Sequence, residues 1–388
     1  MRYYKEGKPK GRFIGSTERY DIYPGIYRKK EERQEPEPHR KTEQEFVFSY
    51  GPASGMLESS EIDFYTPGEI INHVDVDYDV RMRKIGITGL TPADALLRIE
   101  RINGFHAASH AICFLSAVED AMGVSPPDNV LKNRILQIES ERIRSNLLVV
   151  ERMAQAAGFG VPVNQLSLLR EKVSRIIGKH SGHRYFYGSN SLGGTVFEIS
   201  SLAEEIGEVS DEFRDIFRSL LVSKLFINRL QNNGINMESD SIGPAARASG
   251  IMHDARMDSP DLPYGELDFK PVIKEESDAF GRFMVRSMEI GQSSDLIKKV
   301  KISNDELSEN QVGSVNGKGM ARIESPAGDI FYGIELKDGI ISAIDHIFPS
   351  VKNLENFRKS MRGNIFTDFH FNWESYGIWI SELGVVLE

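Results

Sequence analysis

The sequence predicts an α+β fold, a bundle of long helices with small antiparallel sheets at its periphery. Three observations point there. Two long helical patterns follow one another between Thr91 and Ala157. Ahead of them, EFVFSYG, EIDFYT and EIINHVDVDYDV alternate apolar and polar residues, as half-buried strands do. Near the end, GMARIESPAGDIFYGIELKDGIISAIDHIF breaks into short β-prone runs at Pro-Ala-Gly-Asp and Lys-Asp-Gly, the turn chemistry of a meander.

Taken in order, the chain opens on a basic segment. Residues 1–30 hold nine Lys/Arg against three Asp/Glu, a local +6 in a chain of net charge -10, so the remainder carries -16. Rich in tyrosine (Tyr3, Tyr4, Tyr20, Tyr23, Tyr27), the segment reads as a solvated tail, or as an arm on a partner subunit or on anionic lipid headgroups. The charged, proline-containing RKKEERQEPEPHRKTEQE reads as a linker, giving an arm and linker over 1–45 and a domain over 46–388. Thr91-Pro92-Ala93-Asp94 is a helix start, with a capping hydroxyl, proline at the first helical position and a carboxylate at the third. The helical pattern is expected to run on to Gly123, and a second helix of about 45 Å from Asp128 to Ala157. Further helices are expected around 164–178, 211–232 and 276–300. Gly193-Gly194 and Gly243-Pro244 mark turns that need positive φ or close approach.

Composition excludes several classes. No run of about eighteen apolar residues exists to span a bilayer, and MRYYKEGKPKGRFIG lacks the apolar core of a secretory signal. The single cysteine, Cys113, excludes an intrachain disulfide and any site needing two thiolates from this chain. The expected location is cytoplasmic, and the acidic remainder disfavours nucleic acid. GSVNGKGM lacks P-loop spacing, and GxGxxG after a strand, HExxH and GxSxG are all missing.

What remains is a set of polar runs that a plain helical bundle would not require. They are ERINGFHAASHAICFLSAVEDAMG (100–123), ESERIRSNLL (139–148), SIGPAARASGIMHDAR (241–256), DAFGRFMVRSMEIGQS (278–293) and ARIESPAGDI (321–330). In this order they resemble the large subunit of nickel–iron hydrogenases. More closely they resemble the branch shared by membrane-bound energy-converting hydrogenases and the quinone-site, 49-kDa-type large subunit of respiratory complex I. The resemblance covers about residue 48 onward and implies the hydrogenase large-subunit fold.

The departures bear on function. The first metal motif of the hydrogenases, Arg-x-Cys-Gly-x-Cys with a histidine four residues on, matches here at Arg101, Gly104 and His110. Asn103 and His106 stand at its cysteine positions. The second motif, Cys-x-x-Cys, falls on about Gly384 and Leu387, and Thr91 stands where the family has a proton-handling glutamate. Nickel–iron sites bind through soft thiolates, so no nickel site is expected. The complex I branch holds quinone with a histidine in a strand loop and a tyrosine near the first motif. The matching loop SYGPASGM has no histidine, and the tyrosine position falls on Gly104. A family histidine near the partner's iron–sulfur cluster aligns with Asn146, and Arg101 keeps the family arginine there.

Asn103, His106, His110 and Cys113 are spaced i, i+3, i+7 and i+10, and so are expected on one helix face. Zinc takes N and S ligands, but a fourth ligand is not evident, and hydrogen-bonded histidines without metal are the preferred reading. Arg101, Asn103, His106 and His110 are thus the candidates for lining the former cofactor cavity. Arg142, Arg247, Arg256, Arg282 and Arg286 are expected to form structural ion pairs with carboxylates such as Glu139, Asp254, Asp278 and Glu289.

The resemblance implies a core subunit, holding no cofactor itself, of a membrane-associated oxidoreductase complex. It would lie on the inner face of the membrane against a small iron–sulfur subunit and antiporter-like membrane subunits, with quinone as a candidate acceptor. The alternatives are a non-catalytic scaffold in such a complex, or a His/Cys metalloenzyme.

Overall fold

The computed structural model describes residues 1–31, 39–51, 60–197, 201–302 and 313–388. Residues 1–30 form a four-stranded sheet, β1 (Lys5–Glu6), β2 (Gly15–Ser16), β3 (Tyr20–Tyr23) and β4 (Ile26–Lys29), in the order β1-β4-β3-β2. This corrects the reading of a solvated tail. Tyr4, Ile14 and Ile22 are buried against Met320 and Phe331, with the Tyr4 ring edge-on to Phe331 at 5.7 Å. Enough aromatic and β-branched residues fall on one face to bury it, a pattern that the count of basic residues hid. The centre of the expected linker, 32–38, lies outside the described residues, as does most of the SYGPASGM loop.

The expected strands follow as an antiparallel sheet of β5 (Phe46–Tyr50), β6 (Glu61–Thr66) and β7 (His73–Asp77). Next come β8 (Arg83–Ile85), α1 (Pro92–Ile99), α2 (Ala107–Met122), α3 (Asp128–Ala156) and α4 (Gly160–Ser181). A small ladder of β9 (Asn190–Ser191) and β10 (Gly194–Thr195) precedes α5 (Leu202–Val222), α6 (Lys224–Leu230), α7 (Gly243–Ala248), α8 (Ala255–Asp258) and α9 (Ala279–Lys299). The meander β11 (Gly317–Ser325), β12 (Gly328–Lys337) and β13 (Ile340–Ile347) is antiparallel throughout. The chain closes with α10 (Pro349–Met361), α11 (Phe369–Tyr376), α12 (Ile380–Leu383) and β14 (Val385–Leu387).

Thr91 caps α1, its side chain accepting from the Asp94 N–H. The helix does not continue to Gly123, however. The Asn103 carboxamide oxygen accepts from the Phe105 N–H at 3.0 Å, closing a side-chain turn at Asn103-Gly104, and α2 begins afresh after His106. α3 is about 44 Å long and buried over most of its length, packed between α2, α4, α9 and α11. α2 lies on the meander, where a Cβ at Gly319 would come within 2.1 Å of the Ala117 carbonyl oxygen, so only glycine permits this approach. Gly243 (φ +57) meets Ala327 in the same way, with 2.3 Å to its carbonyl oxygen. The last strand, β14, pairs in parallel with β8 and brings the tail beside the turn between α1 and α2.

Deleting residues 1–30 should uncover Phe331 and Met320 and cost on the order of 5 kcal/mol, from three well-buried large side chains. The check is a lower melting temperature by circular dichroism, with the native spectrum kept at low temperature.

Candidate functional site

The turn at Asn103-Gly104 sets His106 as the residue that opens α2, with its carbonyl accepting from the His110 N–H at 2.9 Å. Glu141 of α3 satisfies the free N–H groups at the buried start of that helix. Its carboxylate accepts from Ala108 N–H at 2.7 Å, Ser109 N–H at 3.0 Å and the Ser109 hydroxyl at 2.5 Å. Arg144, one turn on, donates to the Gly104 carbonyl at 2.8 Å, with its guanidinium 5.3 Å from the Phe105 ring centroid and 4.9 Å from that of Tyr185. The helix start is therefore clamped by α3, and the two histidines are held in fixed positions.

Between them sits Glu382 of α12, delivered by the pairing of β14 with β8. Arg83 of β8 ties the two segments, donating to the carbonyls of Ile102 (2.8 Å) and Ser381 (2.6 Å). The Glu382 Oε1 accepts from His106 Nδ1 at 2.7 Å and from the Asn103 amide at 2.9 Å, and lies 3.5 Å from His110 Nε2. Its Oε2 accepts from the Ser350 hydroxyl at 2.6 Å. The chain extends from His106 Nε2 to Ser145 Oγ at 3.3 Å, and from His110 Nδ1 to the Tyr332 hydroxyl at 3.0 Å. His106, His110 and Glu382 are all buried. Burial works against the charged carboxylate, but His106 and His110 outweigh it and hold Glu382 well below the usual carboxylate range.

Three of the four cavity candidates, Asn103, His106 and His110, thus come together on Glu382. Arg101 does not join them. It is half exposed, 2.5 Å from Glu100, with its guanidinium 4.7 Å from the Tyr187 ring centroid. Nor do the four polar residues share one helix face, because Asn103 and His106 precede the helix. Cys113 is directed at the meander, its sulfur 3.5 Å from the Ala321 carbonyl and 3.4 Å from that of Ile330, and burial pushes its thiol up. Among the described residues no group of three His, Cys, Asp or Glu side chains converges to hold a metal. Glu382 is the residue that sequence reasoning missed. The available signal was a lone carboxylate inside the apolar run WISELGVVL.

Glu382 also forms part of the wall of a cavity of about 500 Å³ between the N-terminal sheet, β13, α10 and the tail. Phe13, Phe348, Val351 and Leu387 supply apolar walls, and His346, which burial lowers to about 4, faces it as a neutral imidazole. Lys352 at its rim is already paired, 2.9 Å from Glu355 and bonded to Asp240.

A second buried polar cluster lies between α3, α7, α8, α9 and β11. Arg247 contacts Asp254 (2.9 Å), Glu289 (2.8 Å) and Glu324 (2.7 Å). Arg256 contacts Asp254 (2.7 Å), Glu139 (3.4 Å) and Glu289 (3.4 Å), and Arg142 lies 3.3 Å from Glu139. Here the expected ion pairs form. Arg282 and Arg286 correct that expectation. Arg282 donates to Ser375 Oγ, the Gly234 carbonyl and Asn372 Oδ1, over the Tyr376 ring at 4.1 Å. Arg286 donates to the carbonyls of Ser375, Pro326 and Tyr376 and to Asn146 Oδ1, and burial lowers it to about 9. Asp278 caps α9, accepting from the Gly281 N–H at 2.9 Å. Asn146 is buried between Arg286 (3.1 Å) and Glu289 (3.4 Å).

A family model described as the 49 kDa subunit of respiratory-chain NADH dehydrogenase matches residues 158–312. The chain is 26% identical to the alpha subunit of the membrane-bound hydrogenase of Pyrococcus furiosus over 366 residues, covering 85% of each chain. It is 29% identical over 279 residues to the C/D subunit of the NADH-quinone oxidoreductase of Phocaeicola vulgatus, covering 66% of this chain and 52% of that protein. Its fold matches a chain in the solved structure of the membrane-bound sulfane sulfur reductase, an archaeal respiratory membrane complex. The TM-score is 0.81 at 18% identity, over 88% of this chain and 98% of that one.

Glu382→Gln removes the ionised acceptor from two buried imidazoles and should destabilise the chain by about 3 kcal/mol at pH 7. Glu382 is depressed in the folded state, so its contribution is present above the unfolded carboxylate range and lost as pH falls. The gap between wild type and variant in urea denaturation should therefore close progressively below about pH 4.3.

Proposed function

We propose that this chain, a member of the superfamily of nickel–iron hydrogenase large subunits and 49-kDa-type complex I subunits, is a nickel-free core component of a membrane-associated oxidoreductase complex. It packs on a small iron–sulfur subunit on the inner face of the membrane and, through membrane subunits, couples electron flow to ion translocation. Its relatives carry the names of subunits of membrane-bound hydrogenase and NADH–quinone oxidoreductase. Among the described residues no helix is long and apolar enough to cross a membrane, which fits a peripheral position.

The observation that carries the nickel-free reading is the pairing of Asn103 and His106 with Glu382. By resemblance the first two stand at thiolate positions, and both donate to one carboxylate. Gly384 and Leu387, matched to the second motif, bring no side-chain donor. This donor set does not fit a nickel–iron centre, which needs soft thiolates. A buried polar cluster takes its place, with Ser145, His106 and Glu382 joined by hydrogen bonds and His110, bonded to Tyr332, 3.5 Å from the carboxylate; it can hold a proton beside the cavity that Glu382 borders. That cavity is where an acceptor such as quinone would bind, with the neutral His346 as its hydrogen-bonding group.

The scaffold reading draws on a different observation. His106 and His110 are closed off from solvent, so side chains plug the space between α2 and the tail. The metalloenzyme reading loses its third donor with Cys113 turned to the meander.

The complex purified from native membranes should contain iron but no stoichiometric nickel, and neither take up nor evolve hydrogen. Co-purification with antiporter-like subunits supports coupling to ion flow, and isolation with no membrane partner counts against it. Arg101→Met should lower the midpoint potential of the partner's cluster. A lone charge at about 8 Å and an effective dielectric of about 20 shifts it by on the order of 90 mV, and Glu100 beside Arg101 reduces that. A redox titration of the assembled variant reads the shift.

A further inference from the structure

Among the described residues, Glu324 in β11 is the one carboxylate of the inner cluster that holds only a single, shared guanidinium. Asp254 and Glu289 each contact both Arg247 and Arg256, and Glu139 contacts Arg142 and Arg256. Glu324 contacts Arg247 alone, through the same Nη1 nitrogen that Asp254 uses, and accepts one further bond from the Ala255 N–H at 3.0 Å. Two carboxylates therefore crowd one nitrogen in the buried interior, and a proton on one relieves the repulsion.

The groups facing Glu324 from other elements do not remove that excess. Arg142 of α3 binds the Glu324 main-chain carbonyl rather than its carboxylate. Arg286 of α9 spends its donors on carbonyls and on Asn146. His253 is bonded to Asp329 of β12, and Arg322 of β11 to Asp258, with Asp329 at 3.5 Å.

A route leads outward from this carboxylate. Beside it lies a void of about 10 Å³, bordered by the apolar Ile138, Ala255, Leu262 and Ile323 and by four polar side chains, Glu324, Arg256, Ser259 and Tyr264, room for about one water. The Ser259 hydroxyl is 2.9 Å from Asp261 Oδ2 and also bonds the Arg322 carbonyl, from which it turns to reach the void. Asp261 in turn lines a surface pocket of about 200 Å³ with Asp120, Ser116 and Arg2.

We propose that Asp261, Ser259 and the water-sized void form a proton path from the surface to Glu324, which takes up and releases a proton in the folded protein. The step is a relay. A protonated Asp261 passes its proton to the Ser259 hydroxyl, which hands its own through a water to the Glu324 carboxylate. Asp261 ends ionised and Glu324 neutral, with no other bond changed. The acidities suit it: burial, then Asp254, raises Glu324 to about 7, and burial raises Asp261 to about 6.

Infrared difference spectroscopy on the full chain tests the path. In Asp261→Asn, which removes the other raised carboxyl, a protonated-carboxyl band should grow as pH falls through neutrality, and it should vanish when Glu324→Gln is added. Its exchange from hydrogen to deuterium should slow about tenfold in Ser259→Ala and in Asp261→Asn. A band that survives in Asp261→Asn/Glu324→Gln overturns the assignment, and an exchange rate unchanged in both path variants overturns the route. Thermal melts confirm that each variant is folded. Should Glu324→Gln fail to fold, the exchange rate in Ser259→Ala decides alone, slowed for the path and unslowed against it.

Discussion

Charge buried along α3 is the constraint on which the rest of this structure depends. Arg134, Glu139, Glu141, Arg142 and Arg144 are all fully buried on this one helix. Stranding any one of them costs several kcal/mol, about 3–5 for a broken buried pair. Each must therefore be met by another element. Arg134 fixes α2 through Glu119 at 2.6 Å, and Glu141 fixes the start of the same helix. Glu139 draws in Arg256, the Tyr264 hydroxyl at 2.7 Å and the Ser293 hydroxyl at 2.5 Å, which belong to three separate segments. The helix acts as a template whose polar groups dictate where its neighbours lie, while the apolar contacts supply bulk cohesion.

The sequence made the large features legible, because helices and strands announce themselves by period. The 29-residue α3, the meander and the capped start at Thr91 follow from local pattern. What stayed hidden was decided by side chains meeting across the fold. The N-terminal sheet was obscured by its basic residues, because the few that matter for burial, Tyr4, Ile14 and Ile22, are spread among them. The break before α2 was masked by an unbroken helical spacing, and it came from a side-chain turn at Asn103 that competes with the helix.

The same division holds at the site. Asn103, His106 and His110 were visible as departures from a motif, whereas Glu382 had no motif to depart from. The arginines show a further limit. Arg282 and Arg286 lie among apolar residues as Arg247 does, yet their acceptors are neutral, side-chain oxygens and a carbonyl for Arg282 and mostly carbonyls for Arg286. Five fixed donors suit a guanidinium to collecting the carbonyls at the end of α11, where no helical N–H remains to satisfy them. Sequence predicts that a buried arginine needs acceptors, and only the fold reveals whether they are charged.

The union of His106 with Glu382 spans 276 positions. Closing so long a loop costs little more entropy than closing a shorter one, and the contact depends on both α2 seated on α3 and β14 paired with β8. A tail loosened from β8 takes Glu382 with it and leaves both imidazoles without their acceptor. The seating of the last few residues and the chemistry of the buried histidines are thereby linked through one carboxylate.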